Sequence, residues 1–257
     1  MTQLTTLIFD VDGTLAESER DGHRVAFNRA FADAELDWHW SIDLYGKLLT
    51  VSGGKERIKA YLRNCRPNFQ APGDLDDFVA QLHATKTDRY RQLLSEGAVP
   101  LRPGVKRLLE EARAEGLRLA IATTSALPNV LALLDRTLDP QWFEAIAAGD
   151  IVPAKKPAPD IYHYVLDQLA LTANECLVFE DSPHGLQASL GAGLKTVVTV
   201  NDYTRSNDFS GATLVLSDLG EPDRPFEVLA GEVTGTQYFN CDLARDLVGG
   251  EEMEREK

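Results

Sequence analysis

A doubly wound parallel-sheet α/β core with an inserted all-helical cap is the fold class that this 257-residue chain predicts. Three observations lead there. From about Leu101 onward, short apolar runs alternate with helical patterns, the mark of strand–helix–strand units whose parallel sheet is covered on both faces. Between Ala16 and about Ala98 that rhythm stops, and helical patterns appear without a convincing strand. One apolar run, Leu7-Ile8-Phe9, precedes the interruption. The core is therefore expected over residues 1–15 and 99–257, and the helical cap over 16–98.

Taken in order, the first strand runs into Asp10. In the insertion, His23 to Leu36 carries Val25, Ala26, Ala30, Phe31 and Ala34 at helical spacing, and Asp76 to Leu94 reads as a second helix. Pro103 to Gly116 starts with proline, ends with glycine and places Val105, Leu108, Leu109 and Ala112 on one face, as a helix should. Leu117 to Ala122 follows as a buried strand and Leu127 to Leu134 as a helix. A further helix follows Pro159, with Ile161, Val165 and Leu169 as its buried stripe. Then come the strand Leu177 to Phe179, a helix ending near Gly191 or Gly193, and strands over Thr196 to Val200 and Thr213 to Leu216. Beyond Gly231 the patterning is weak, and the charged run Glu251 to Lys257 is expected to fray.

Composition narrows the partners. With 44% hydrophobic and 26% charged residues, the chain reads as a soluble globular protein. No segment approaches the ~20 apolar residues of a membrane span. No basic region with an apolar stretch opens the chain, so the expected location is the cytoplasm, or a plastid stroma if a transit segment has been removed. A net charge of -14 argues against a nucleic-acid partner but not against a small phosphorylated ligand held by a few local cations. Cys65, Cys176 and Cys241 are odd in number and in no metal-like spacing, which fits a reducing compartment and no catalytic part. Oligomeric state is not readable from these features, and a monomer is the expectation.

In an open parallel sheet, ligands bind beyond the carboxyl ends of the strands. Four polar groups fall at such places. Asp10 and Asp12 follow the first strand. Thr123, Thr124 and Ser125 follow the second, Lys155 and Lys156 precede Pro157, and Glu180, Asp181 and Ser182 follow the run Leu177 to Phe179. Each has an ordinary explanation as a turn, a helix cap or a solvated charge. Together, two acidic pairs, hydroxyls and a cation describe a phosphoryl-transfer site. Residues Asp10 and Asp12 project to the same side of an extended segment, where their charges demand a shared proton or a hard cation such as Mg²⁺.

In the order Asp10-Val11-Asp12-Gly13-Thr14, Thr123, Lys156-Pro157-Ala158-Pro159-Asp160 and Phe179-Glu180-Asp181-Ser182-Pro183-His184-Gly185-Leu186, the chain resembles the haloacid-dehalogenase superfamily, in its subgroup with a helical cap after the first motif. The resemblance implies an enzyme, a phosphoric monoester hydrolase. Asp10 would be its nucleophile, forming an aspartyl-phosphate, and Asp12 its general acid and then base. Mg²⁺ would be held by the Asp10 carboxylate, the Asp12 backbone carbonyl and Asp181, with Glu180 acting through water or hydrogen bonds. Thr123 and Lys156 would hold the phosphoryl oxygens, Lys155 being the neighbouring alternative. A carboxylic acid at Asp12 favours phosphate esters, because the superfamily's dehalogenases and phosphonatases differ there.

The cap is expected to select substrate. Gly53 and Gly54 with Lys55 and Arg57 read either as a second phosphate site or as a glycine-rich helix start with surface charges. Glu17, Gly22 to Asn28, Asp37 to Trp40 and the Gly53 to Arg57 loop resemble the CbbY branch, which implies a sugar bisphosphate, xylulose-1,5-bisphosphate, as substrate and xylulose 5-phosphate as product, in association with carbon fixation by the Calvin cycle. Glu17, His23, Gly53, Gly54, Lys55, Arg57, Thr124 and Ser125 would then bind it. A β-phosphoglucomutase-like mutase shares these motifs and differs in returning the phosphoryl group to sugar. A receiver-like sensing module shares the acidic cluster, hydroxyl and lysine, but has no need of a helical insertion.

Overall fold

The computed structural model describes residues 3–51 and 53–249; Ser52 and the charged run 251–257 lie outside them. The chain divides into two compact units, Ser18–Val99 and the remainder. The smaller unit starts two residues later than the expected cap and ends one residue later, where both linkers pair with the core. Ala16 bridges to Leu101, and the Glu17 N–H donates to the Pro100 carbonyl at 3.1 Å.

The larger unit is built on a seven-stranded sheet of β1 (Thr6–Phe9), β2 (Arg118–Thr123), β3 (Ala145–Ala148), β4 (Cys176–Glu180), β5 (Lys195–Thr199), β6 (Leu214–Leu216) and β7 (Val228–Ala230). Its order is β3-β2-β1-β4-β5-β6-β7, with β1 to β6 parallel and β7 antiparallel to β6. Side chains alternate across β1. Ile8 joins Ile161, Tyr162 and Val165 in one core, whereas Phe9 stacks on Phe179 at 4.5 Å, which in turn meets Phe239 edge-on. The first core lies under α7 (Asp160–Leu169), and the second face is covered by α5 (Val105–Ala114) and α9 (Cys241–Gly249). The remaining helices of this unit are α6 (Leu127–Thr137) and α8 (Pro183–Gly191).

Strand β3 escapes a reading of the sequence because its residues, Ala-Ile-Ala-Ala, have little β preference; pairing with β2 makes it a strand. The weakly patterned tail beyond Gly231 contains α9, which buries Cys241, Leu243, Ala244 and Val248.

The smaller unit opens with a wide helical turn, Ser18–His23, followed by α1 (Arg24–Asp33), α2 (Ile42–Leu48), α3 (Gly54–Cys65) and α4 (Leu75–Ser95). The buried stripe of α1 is Ala26, Phe27, Ala30 and Phe31; of the residues expected at helical spacing, Val25 is half-buried and Ala34 exposed, and Phe27 joins the stripe because it enters an aromatic cluster with Trp40 and Tyr45. That cluster extends through Trp38 and Tyr61, so the large rings of a short helical unit supply most of its core. Asp74 starts α4 by accepting from the Asp76 and Asp77 N–H groups at 2.8 and 3.0 Å. Among the described residues no helix is long and apolar enough to cross a membrane.

Candidate active site

The strand order places β1 between β2 and β4, the two neighbours whose ends carry chemistry. Phe9 is in register with Ile121 and Phe179, so the next residue, Asp10, lies level with Ala122 and Glu180. The Asp10 N–H donates to the Phe179 carbonyl at 3.0 Å. Three strand ends thus converge without any long-range loop being needed.

Lys156 ties them together. Its Nζ donates to Asp10 Oδ1 at 2.8 Å, to Glu180 Oε1 at 2.6 Å and to the Ala122 carbonyl at 2.7 Å. An ammonium has three protons, so all three are used in fixing the lysine. Its side chain is 6% exposed, whereas that of Lys155 is 45% exposed and paired with Asp150 at 2.8 Å. Lys156 is therefore the lysine of the site.

Glu180 is an anchor. Oε1 also accepts from the Tyr162 hydroxyl at 2.6 Å, and Oε2 accepts from the Asp181 N–H at 3.2 Å. A β-carbon on Gly185 would come within 1.9 Å of this carboxylate, so the glycine at that position of α8 is required by the glutamate. Burial raises the Asp10 carboxyl above the usual aspartate range, with Lys156 opposing the rise and Glu180 adding to it. Burial alone would lower the Lys156 ammonium, but Asp10 and Glu180 outweigh it and hold the lysine above its ordinary value. Burial, and then the charge of Glu180, raises the Tyr162 hydroxyl well above ordinary tyrosine, which keeps it a donor.

Asp12 is held by the hydroxyl of Ser125, which donates to its Oδ2. Thr123 is buried at the end of β2, and its Oγ1 accepts from the Ser125 N–H at 3.2 Å. Thr124, half-buried, sits between them. These hydroxyls do not cap α6, whose first turn has no side-chain cap, so the ordinary explanation for the Thr-Thr-Ser run does not apply.

Oxygen atoms of Asp10, Glu180 and Asp181 lie within 4.8 Å of one another, all three residues being buried. An all-oxygen, acidic set suits a hard divalent cation such as Mg²⁺. Gly13 adds to the fit: at φ 83° a β-carbon there would come within 2.3 Å of Asp181 Oδ2, so only glycine lets the loop pass this close to the carboxylates.

Glu17, half-buried, faces Arg102 at 3.5 Å. Arg102 is buried and donates to the Gly13 carbonyl, to the Val200 carbonyl at 2.6 Å and to that of Ser217 at 2.8 Å, bracing the loop after Asp12. The other expected substrate residues belong to the helical unit. His23 is buried with its Nδ1 2.9 Å from Lys86 Nζ. Gly53 adopts φ 92° before α3, and Gly54 lies against the His83 ring. Arg57 is buried, donating to the Tyr45 hydroxyl at 3.0 Å, and that hydroxyl donates to Glu19 at 2.5 Å. Lys55 is exposed. Two residues apart on a helix do not share a face, so α3 separates the two cations that the sequence presents together.

Tyr162, Arg102 and Asn201 are site residues that the sequence reading passes over. Asn201 donates from Nδ2 to Asp181 Oδ2 at 2.6 Å. It directly follows the run Thr196 to Val200, so the strand-end rule itself pointed to it.

The sequence profile of the haloacid dehalogenase-like hydrolases matches residues 4–193. The chain belongs to this family. It is 45% identical over 244 residues to the plasmid-encoded protein CbbY of Cupriavidus necator, covering 94% of each chain. It is 48% identical over 220 residues to CbbY of Rhodobacter capsulatus, covering 84% of this chain and 94% of that one. Among solved structures, CbbY of Rhodobacter sphaeroides, in a mutant form bound to xylulose-(1,5)bisphosphate, superposes with a TM-score of 0.76 at 44% identity, over 84% of this chain and 94% of that chain. The same protein has been solved with phosphate. The chain is thus an enzyme, a hydrolase of this family related to CbbY.

Proposed function

We propose that the protein is a Mg²⁺-dependent sugar-bisphosphate phosphatase that hydrolyses xylulose-1,5-bisphosphate to xylulose 5-phosphate and phosphate. The observation that carries the substrate is the xylulose-bisphosphate complex of a relative 44% identical to this chain. The chemistry is carried by the Asp10–Lys156–Glu180 cluster.

A carboxylate oxygen of Asp10 attacks phosphorus, and the bond from phosphorus to the sugar oxygen breaks as the aspartyl-phosphate forms. Asp12 gives its proton to the departing sugar oxygen. Water then attacks the phosphorus, Asp12 takes back a proton, and the bond to Asp10 breaks to release phosphate. The Thr123 hydroxyl would hold a phosphoryl oxygen, and the positive charge of Lys156, fixed beside Asp10, would offset the charge that shifts onto the phosphoryl group. Glu180, fixed by Tyr162, keeps Lys156 beside Asp10. Mg²⁺, held by the Asp10 and Asp181 carboxylates and the Asp12 carbonyl, would supply the positive charge that keeps Asp10 ionised and steadies the phosphoryl group. In the helical unit, the Gly53 and Gly54 backbone and Arg57 would take the second phosphate, with His23 on the sugar and Lys55 adding charge, and Glu17 of the larger unit would also meet the sugar.

The test is phosphate release from xylulose-1,5-bisphosphate and from sugar monophosphates, with and without Mg²⁺, using Asp10→Asn as blank. Net release from the bisphosphate is expected, and Arg57→Ala should lower it more than release from monophosphates. Phosphoryl return to sugar with little net phosphate would instead make the protein a mutase.

A further inference from the structure

Asn201 sits two residues beyond the end of β5 and is half-buried. Its backbone and side chain make two kinds of contact. One kind is a local turn: the Asn201 N–H donates to Thr204 Oγ1 at 3.0 Å, the Thr204 N–H donates to the Asn201 carbonyl at 3.1 Å, and the Tyr203 N–H donates to Asn201 Oδ1 at 2.9 Å. The last contact fixes the orientation of the amide, because a backbone N–H must face the side-chain oxygen and not the NH₂. With Oδ1 so placed, the NH₂ is turned to Asp181 and donates to its Oδ2 at 2.6 Å.

The second observation is the opposing wall. A β-carbon on Gly13 would lie 2.3 Å from Asp181 Oδ2 and 2.7 Å from Asn201 Nδ2. The loop carrying the two aspartates therefore passes directly over this hydrogen bond, and the space for it exists only because residue 13 has no side chain. A turn-forming asparagine needs no such arrangement on its far side.

We propose that Asn201 is a positioning residue for the metal site: its amide holds the Asp181 carboxylate in the rotation that presents it to a divalent cation together with Asp10. The inference rests on Asp181 being a ligand of Mg²⁺ and adds to that reading a residue outside the four motifs. A neutral donor suits the task. It satisfies one carboxylate oxygen without the competing positive charge that a lysine or arginine would bring to a cation site. Hydrogen-bonded partners of ligating carboxylates act in this way, and their loss weakens metal affinity.

The test separates this role from the turn. Serine at 201 can still accept from the Tyr203 N–H but is too short to reach Asp181. Thr204→Val removes the turn contact and leaves the amide in place. Affinity for Mg²⁺, read by displacement of Mn²⁺ in electron paramagnetic resonance without substrate, should fall about tenfold in Asn201→Ser and Asn201→Ala and stay within about twofold in Thr204→Val. Wild-type affinity in Asn201→Ser would overturn the proposal, as would an equal loss in Thr204→Val. If the wild-type protein bound no Mg²⁺, the metal reading itself would fall and this inference with it. Substrate turnover plays no part in the measurement, so the two failures are distinct.

Discussion

The two aspartates of the first loop differ in what surrounds them, and that difference sets what each can do. Asp10 is buried, bonded to Lys156 and within reach of Asp181, so in the proposed mechanism its carboxylate serves both the cation and the attack on phosphorus. Asp12 accepts a hydrogen bond from the Ser125 hydroxyl. Asp10→Asn should therefore abolish turnover and weaken Mg²⁺ binding, whereas Asp12→Asn, which keeps the backbone carbonyl, should stop turnover and leave Mg²⁺ binding nearly intact. Calorimetric titration of both variants checks this, and equal loss of affinity in the two would refute the division of roles. Tyr162 shows how a core residue enters chemistry. It packs among Ile8, Ile161 and Val165, yet its hydroxyl ends on Glu180.

At the scale of elements, α3 and α4 meet where Gly54 lies against His83. Burial, and then the charges of Lys86, Lys55 and His23, lower the His83 imidazole from 6.5 to about 4. The sign follows from proton counting. Between about pH 4 and 6.5 the unfolded chain binds a proton that the folded chain does not, so stability rises with pH in that window. The stabilisation from a neutral His83 is complete above pH 6.5 and is lost as pH falls toward 4. Urea unfolding of wild type and His83→Gln at pH 7.5 and pH 5 should show the wild type losing more on acidification. A pH-independent difference between the two proteins would contradict the assignment. The same helix start shows why residue order is not enough: Lys55 and Arg57 lie two residues apart in the chain, but the helical turn leaves one exposed and buries the other against Tyr45.

At the scale of the whole molecule, the three cysteines report on packing. Cys176 and Cys241 are buried, their thiols pushed up to about 12 chiefly by burial, while Cys65 is exposed at the end of α3. A thiolate is the reacting species, so at pH 8 only Cys65 should react promptly with a disulfide reagent. One equivalent is expected from the native protein and three after unfolding. Prompt reaction of more than one thiol in the native protein would mean that the core around Cys176 or Cys241 opens readily. Two of the three thiols thus belong to the core.

Much of the molecule is written locally. Apolar runs ending in acids, hydroxyls or glycine mark β1, β2 and β4, and because parallel strands put their carboxyl ends on one edge, Asp10, Asp12, Thr123, Lys156, Glu180 and Asp181 are legible as one site before any coordinates. The helical insertion is legible for the same reason, as a stretch where period-3.6 patterns continue and strands cease. What is not local is not legible. An alanine-rich β3 becomes a strand only by pairing with β2, and α9 becomes a helix of the core by packing on α5. The sequence prefers Lys156 to Lys155 only through the resemblance of Lys156-Pro157-Ala158-Pro159; the physical reason, that this side chain reaches Asp10, Glu180 and the Ala122 carbonyl at once, lies in the tertiary structure. Tyr162, Arg102 and Asn201 have their partners at sequence distances of 18, up to 115 and 20 residues. The chemistry of the site was thus determined by the sequence through residue type and strand-end position, while its support was decided by tertiary structure, because a hydrogen bond between distant residues exists only after the sheet has brought their backbones together.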